Sequence, residues 1–380
     1  MNSSEIETFS KWDELDIDPR ILRGIYSYGF EIPSPIQSKS IISICKGRDI
    51  IAQAQSGTGK TASFTVGTLS RIDVNLNSTQ AIILAPTREL ASQISSVIQS
   101  ISCMMENIRI KTMIGGTSIF DDERNDPPHI IVGCPGRVYD MMRRQYINGR
   151  NIKILVIDEA DEMLSQGFLE QIKSIILKMN SHTQIALFSA TLPPNICEIT
   201  DKFMQNPVHI IVKAESLTLE GIKQFYIAVN NDYDKYSTLK DIYNLISVSQ
   251  CIIYCNSVNR VIELYNYMKD DNFPVSCIHS KMYKDERQLA FNEFKSGASR
   301  VLISSDITAR GIDIQQVSIV INFDVPKNVH TYLHRIGRSG RFGRKGCGIN
   351  LVTLRDSDKM REIENYYATE IKEFPCNFQM

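Results

Sequence analysis

The chain has 380 residues, of which 43% are hydrophobic, and its 42 basic and 43 acidic side chains leave a formal net charge of −1. That length suits two domains with a core each, and near-neutrality excludes a generally basic nucleic-acid surface, so any such site must be a local groove. Residues 1–18 are polar and acidic, and no run reaches the roughly 18 apolar residues of a membrane span, which predicts a soluble, intracellular protein.

Along the chain, short apolar runs followed by polar or Gly-rich turns predict strands at 49–52, 81–85, 130–132, 154–157 and 185–189. Segments with apolar spacing near 3.6, such as 90–101 and 167–179, lie between them. Alternating βα units predict a parallel sheet with helices on both faces. Residues 213–221 are polar, hold no clear core and read as a linker. The pattern then restarts, with strands predicted at 252–254, 275–278, 301–304, 319–323 and 350–353. The expected organisation is an α/β fold with domains at 1–212 and 222–380, and ligands of such folds sit at the carboxyl ends of the strands. The nine cysteines show no Cys-x-x-Cys pair and no zinc-type spacing. Cys251 and Cys255, inside an apolar run, are expected in the core, and a reducing compartment fits.

The run Ala54-Gln55-Ser56-Gly57-Thr58-Gly59-Lys60-Thr61 follows a predicted strand and opens a helix. In that context glycines let backbone N–H groups approach phosphates, Lys60 reaches the β/γ oxygens, and the Thr61 hydroxyl can ligate Mg²⁺. The strict pattern has Gly where Ala54 stands. The strand at 154–157 runs into Asp158-Glu159-Ala160-Asp161. Asp158 is the candidate metal holder, and Glu159 the group that orients and deprotonates an attacking water. Acids at a helix start are also favoured for electrostatic reasons alone; the phosphate loop upstream is what favours the catalytic reading.

Asp158-Glu159-Ala160-Asp161 resembles the box that names the DEAD-box RNA helicases, and the family's other motifs follow in order. Phe30, Pro33, Pro35, Ile36 and Gln37 resemble its adenine-reading Q motif, with Trp12 aligned upstream where the family usually has Phe. Pro86-Thr87-Arg88, Gly115-Gly116 and Pro135-Gly136-Arg137 resemble the first domain's RNA-contacting loops. Ser189-Ala190-Thr191 resembles the motif that couples hydrolysis to unwinding. In the second half Asn256, Ser304-Ser305-Asp306, Gly311, Asp313 and the run from His334 to Arg341 match the rest. The resemblance implies two tandem RecA-like domains on a short linker. Segments 52–55, 217–224 and 341–346 resemble the family's translation-initiation branch and its exon-junction relative.

The resemblance also implies roles. Trp12, Phe30 and Gln37 would meet adenine, the amide of Gln37 reading its donor–acceptor edge. Residues Ala54, Gln55, Ser56, Gly57, Thr58, Gly59, Lys60 and Thr61 would bind the phosphates of ATP, with Gly311 and Asp313 flanking the ribose. Arg338 and Arg341, three apart and so on one face if helical, would act as arginine fingers. His334 and Arg335 would link the ATP and RNA sites, although a purely structural role for His334 stays open. The first domain's RNA loops would grip a backbone without reading sequence, and Asn256 and Ser304-Ser305-Asp306 would bind RNA from the second domain. Cys134 for the family's Thr, Val258 for its Arg, and His279-Ser280-Lys281-Met282 are departures from the usual residues. The implied protein is a cytoplasmic monomer using ATP and Mg²⁺, acting on single-stranded or short duplex RNA with translation-initiation scaffold proteins as partners. An ATP-locked RNA clamp and a small-molecule phosphotransferase are the competing readings; the second α/β domain with its arginine pair argues against the latter.

Overall fold

The computed structural model describes residues 6–54, 57–116, 126–192, 196–212, 222–245, 250–306, 317–339 and 346–375. The chain divides into two compact units, Met1–Lys213 and Ala214–Met380. The first contains strands β1 (Ile50–Gln53), β2 (Ala81–Leu84), β3 (Ile110–Met113), β4 (Ile130–Gly133), β5 (Ile154–Ile157), β6 (Gln184–Ser189) and β7 (Val208–Ile211). They form one sheet in the order β3-β4-β2-β5-β6-β1-β7, and every pairing is parallel.

Alternation of side chains along a strand assigns neighbours to opposite faces. Ile50 and Ala52 pack with Ala81, Ile83 and Phe64 in one core, which also takes the helices Pro35–Cys45, Lys60–Leu69 and Arg88–Ile101. Ile51 packs with Ile82, Leu84 and Leu155 in the other, under the helices Pro135–Arg143, Ala160–Ser165 and Leu169–Ile176. Burial on both faces is why the central strands read as unbroken apolar runs. Asp49 fixes the start of the sheet: its carboxylate accepts from Ile185 N at 2.7 Å and Gln205 N at 2.6 Å, tying β1 to β6 and to the lead-in of β7.

The second unit repeats the plan with β8 (Ile222–Ala228), β9 (Cys251–Tyr254), β10 (Val275–Ile278), β11 (Val301–Ser304), β12 (Ile319–Asn322), β13 (Gly346–Val352) and β14 (Lys372–Glu373). The order is β10-β11-β9-β12-β13-β8-β14, again parallel throughout. Cys251 and Cys255 are buried in its core. Each strand predicted from sequence is present, with ends shifted by up to a few residues. Strands β3, β7, β8 and β14 were not expected. No described helix is long and apolar enough to cross a membrane.

Candidate functional site

Strands β5, β6 and β1 are neighbours, so the segments that follow them meet at the carboxyl edge of the first sheet. After β1, Gly57 (φ +83°) and Gly59 (φ +101°) take left-handed backbone that favours glycine, and Gly59 caps the helix that begins at Lys60. A Cβ on Gly59 would lie 2.6 Å from Gln37 Nε2. That helix start points its free N–H groups and positive dipole end into the loop, an arrangement suited to an anion. Thr58, Gly59 and Thr61 lie along this turn, half-buried. Gln55 and Ser56 lie outside the described residues.

Lys60 Nζ pairs with Glu159 Oε1 at 3.1 Å, their side chains only 5% and 4% exposed. Asp158 and Asp161 are also buried. Burial pushes the Asp158 carboxyl up to about 7, Lys60 opposing the rise and Glu159 and Asp161 adding to it. Burial likewise works against the Lys60 charge, but Glu159, Asp158 and Asp161 outweigh it and hold the ammonium above its ordinary value. Glu159 has a left-handed backbone, φ +51°, costing on the order of 1 kcal/mol for a residue with a Cβ. Its second oxygen, Oε2, is buried without a hydrogen-bond partner among the described residues. A buried acceptor of this kind suits a water or a ligand proton. Asp161 faces the next strand: Thr191 Oγ1 donates to it at 2.8 Å, and its own N–H reaches Ser189 Oγ at 3.2 Å. Ser189 Oγ in turn donates to Thr191 O, and Ala54 N to Ser189 O at 3.0 Å. Ser189 and Thr191 are thereby bonded to Ala54 at the start of the glycine turn and to Asp161 of the acidic run.

Gln37 is 2% exposed. Its Oε1 accepts from Ser34 N at 2.7 Å and its Nε2 donates to Gly59 O at 3.3 Å. One side chain therefore closes the start of its own helix, as a capping box does, and tethers the last glycine of the phosphate loop. Trp12 is fully buried between Phe9 and Phe30, at ring distances of 5.7 and 6.2 Å. Phe30 stays half-buried.

The other half of the same edge carries the predicted RNA loops. Pro86-Thr87-Arg88 follows β2, Pro135-Gly136-Arg137 follows β4 and Gly115-Gly116 follows β3, and these strands are adjacent. Thr87 caps the helix that starts at Arg88, accepting from Leu90 N. A Cβ on Gly115 or Gly116 would come 3.2 Å from the Arg88 guanidinium. Gly136 faces open space at the first turn of its helix.

In the second unit Arg335 sits at a junction of hydrogen bonds. Arg335 is fully buried and donates to Asp306 (2.6 Å), Asn256 (2.7 Å), Asn322 (3.2 Å) and the Asp324 carbonyl (2.8 Å). Asn256 gives its remaining amide to Val325 O, and Ser304 Oγ bonds Ile278 O and Ser305 O. His334 and Arg338 are buried, and Arg338 Nε reaches the His334 carbonyl. The helix Val329–Ile336 ends before Gly337, so the helical face expected to join Arg338 to Arg341 stops short of Arg338. Gly311, Asp313 and Arg341 lie outside the described residues. Sequence reasoning did not single out Asp324, Arg260 or Lys235, which form the ionic cluster beside Arg335. The available signal was an acid directly after an apolar strand, as at Asp158.

Residues 34–199 match the DEAD/DEAH box helicase model, and residues 234–343 match the helicase conserved C-terminal domain. The chain is 53% identical to the ATP-dependent RNA helicase eIF4A of Scheffersomyces stipitis, covering 97% of this chain and 93% of that protein. The chain belongs to the DEAD-box ATP-dependent RNA helicases. The Neurospora crassa eIF4A is 51% identical over 99% of this chain and 95% of its own. Among solved structures of DEAD-box proteins, Saccharomyces cerevisiae Dbp5 bound to RNA and ADP BeF3 superposes with a TM-score of 0.89. It is 36% identical and covers 96% of this chain and 95% of that one. The two parallel sheets described above are the RecA-like pair of this family.

Proposed function

We propose that this protein is an RNA-stimulated ATPase that separates short RNA duplexes locally, in the manner of eIF4A in translation initiation, in the cytoplasm and as a monomer. The observation that carries the chemistry is the buried Lys60–Glu159 pair behind a two-glycine turn, with Glu159 Oε2 left free to accept a proton. ATP binds with its phosphates on the helix start at Lys60, and Lys60 neutralises the β/γ oxygens. Glu159 holds the attacking water and takes its proton. Asp161, bonded to Thr191 and Ser189, ties this chemistry to the end of β6, and the loops at Arg88, Gly115-Gly116 and Arg137, after β2, β3 and β4, grip an RNA backbone.

The donor set fits Mg²⁺. Three buried carboxylates surround one ammonium, so a divalent cation offsets the excess negative charge. Among the described residues no group of three His, Cys, Asp or Glu forms an all-protein cage, and Mg²⁺ is commonly held by one or two carboxylates with phosphates and waters. Asp158 and Thr61 are the residues that would hold it; bound there, it would neutralise charge on the phosphates. Arg338 and Arg341 supply arginine fingers from the second unit, and Gly311 and Asp313 the ribose contacts.

ATP turnover of the full chain with and without single-stranded RNA tests this reading. A rate that rises with RNA supports it. RNA-independent turnover points to a small-molecule phosphotransferase, and ATP-dependent RNA retention without turnover points to a clamp.

A further inference from the structure

Asp324 stands two residues past the end of β12 and is 7% exposed. Its carboxylate accepts from Arg260 Nε at 2.9 and 3.1 Å and from Asn256 N at 3.0 Å. Lys235 Nζ stands 3.4 Å away. Asp232 bridges the same two cations from outside, 3.0 Å from Lys235 and 2.9 Å from Arg260. Both cations also lie over the Phe323 ring, at 5.8 and 5.2 Å, which fixes them further. The Asp324 carbonyl receives Arg335 Nη1. One residue thus holds Asn256, through its N–H, and Arg335, through the peptide oxygen.

Arg335 has no freedom of its own. Its remaining donors reach Asn322, Asn256 and Asp306, and its face covers the Tyr254 ring at 5.3 Å. Asp306 is half exposed and closes the Ser304-Ser305-Asp306 turn. The chain of contacts Asp324–Arg335–Asp306 therefore spans the carboxyl ends of β12, β9 and β11, three adjacent strands. Buried networks of this type hold one geometry when every member is bonded and lose it when one is not.

We propose that Asp324 is a positioning residue for RNA-stimulated hydrolysis, setting Arg335 and Asn256 and, through Arg335, the Asp306 turn that meets RNA. This rests on the function proposed above. Asp324→Asn keeps the size and one acceptor. It removes the charge and turns an NH₂ donor toward the donors of Arg260, Lys235 or Asn256.

The experiment measures RNA-stimulated ATPase of the full chain for the parent, Asp324→Asn, Asp306→Asn and the double variant, each first checked by thermal melting. The RNA concentration for half-maximal stimulation should rise about tenfold in Asp324→Asn, the scale of one charge-assisted hydrogen bond. The ATP concentration for half-maximal rate should move less than about twofold on the same scale. The double variant should be no worse than the poorer single, because both act through one network. An unchanged RNA requirement in Asp324→Asn, or losses that multiply in the double variant, would overturn the proposal. Should Asp324→Asn melt below the assay temperature, Arg260→Gln, at the outer rim of the cluster, gives the same reading: a raised RNA requirement supports it and a parental one overturns it. A parent chain that RNA does not stimulate would remove the functional reading itself, and the proposal with it.

Discussion

Lys60 and Glu159 are partners in one buried pair, and their variants should separate binding from chemistry. Lys60→Ala leaves three buried carboxylates without their cation. Removing one partner of a buried pair costs roughly 3–5 kcal/mol, so its melting temperature should fall and ATP binding should weaken. Glu159→Gln keeps the shape and should bind ATP near the parental level while losing hydrolysis, measured by nucleotide titration beside turnover. Parental turnover in Glu159→Gln would remove Glu159 from the role of base. Gln37 shows how far the residue scale was legible. Its place among flanking prolines marked it from sequence, and the resemblance gave it adenine. Its two backbone partners were hidden, because Gly59 lies 22 positions away and meets it only through packing of the helices Pro35–Cys45 and Lys60–Leu69. Gln37→Ala should therefore raise the ATP concentration needed for half-saturation and lower stability by about 1 kcal/mol, the usual value of a cap. It should also erode the preference for ATP over GTP in a competition assay. Unaltered nucleotide binding in that variant would show the tether to be idle.

At the scale of elements, sequence revealed the strands buried on both faces and one edge strand, β10, and missed four at or near the margins: β3, β7, β8 and β14. β2, β4, β5 and β11 are buried at every position and read as apolar runs. β3 and β7 are the two edges of the first sheet. β3 holds Lys111 and Thr112 and is only half-buried, and β7 alternates buried and exposed residues over four positions, too short for a period to register. The Arg335 junction was unreadable for a different reason: its partners come from separate strand ends that only the sheet order makes adjacent. A pH effect also belongs at this scale. His129, fully buried just ahead of β4, accepts from Arg109 N at 3.1 Å through Nδ1, while its Nε2 has no partner among the described residues. Burial, with the Arg109 charge, holds its pKa below the ordinary value. The folded chain thus takes up that proton only at a lower pH than the unfolded chain, which charges it near pH 6.5. This contribution to stability is fully present above that pH and is lost as pH falls below it. His129→Asn places an amide oxygen near the Nδ1 position and does not titrate. Its melting temperature should fall less than the parent's between pH 7.5 and pH 5.5, values chosen to bracket that point. Parallel melting curves would exclude His129 as a source of acid sensitivity.

At the scale of the whole molecule, the proposed chemistry is divided: Lys60 and Glu159 belong to the first unit, Arg338 and Arg341 to the second. Arg338→Ala should lower turnover sharply with ATP binding largely kept, since arginine fingers contribute about 10³–10⁵ in rate in related phosphate chemistry. The work on RNA follows from how little the protein has to hold it with. A net charge of −1 leaves no general basic excess to hold a long duplex. What remains are short loops at Arg88, Gly115-Gly116 and Arg137, suited to a few phosphates of one strand. Separating each base-pair step costs on the order of 1.4 kcal/mol, with the DNA stacking value as guide. A motor that acts once per ATP on so small a footprint can therefore displace only a handful of pairs before the rest must dissociate unaided. Strand-displacement yield at fixed ATP should collapse as the duplex grows from roughly one to two helical turns, an extent set by that per-step cost. Single-stranded RNA should stimulate the ATPase more than DNA of the same sequence, because a backbone-gripping site can sense the 2′-hydroxyl. Undiminished unwinding of duplexes several times longer, or equal stimulation by DNA, would mean that the protein tracks along its substrate by contacts other than these loops.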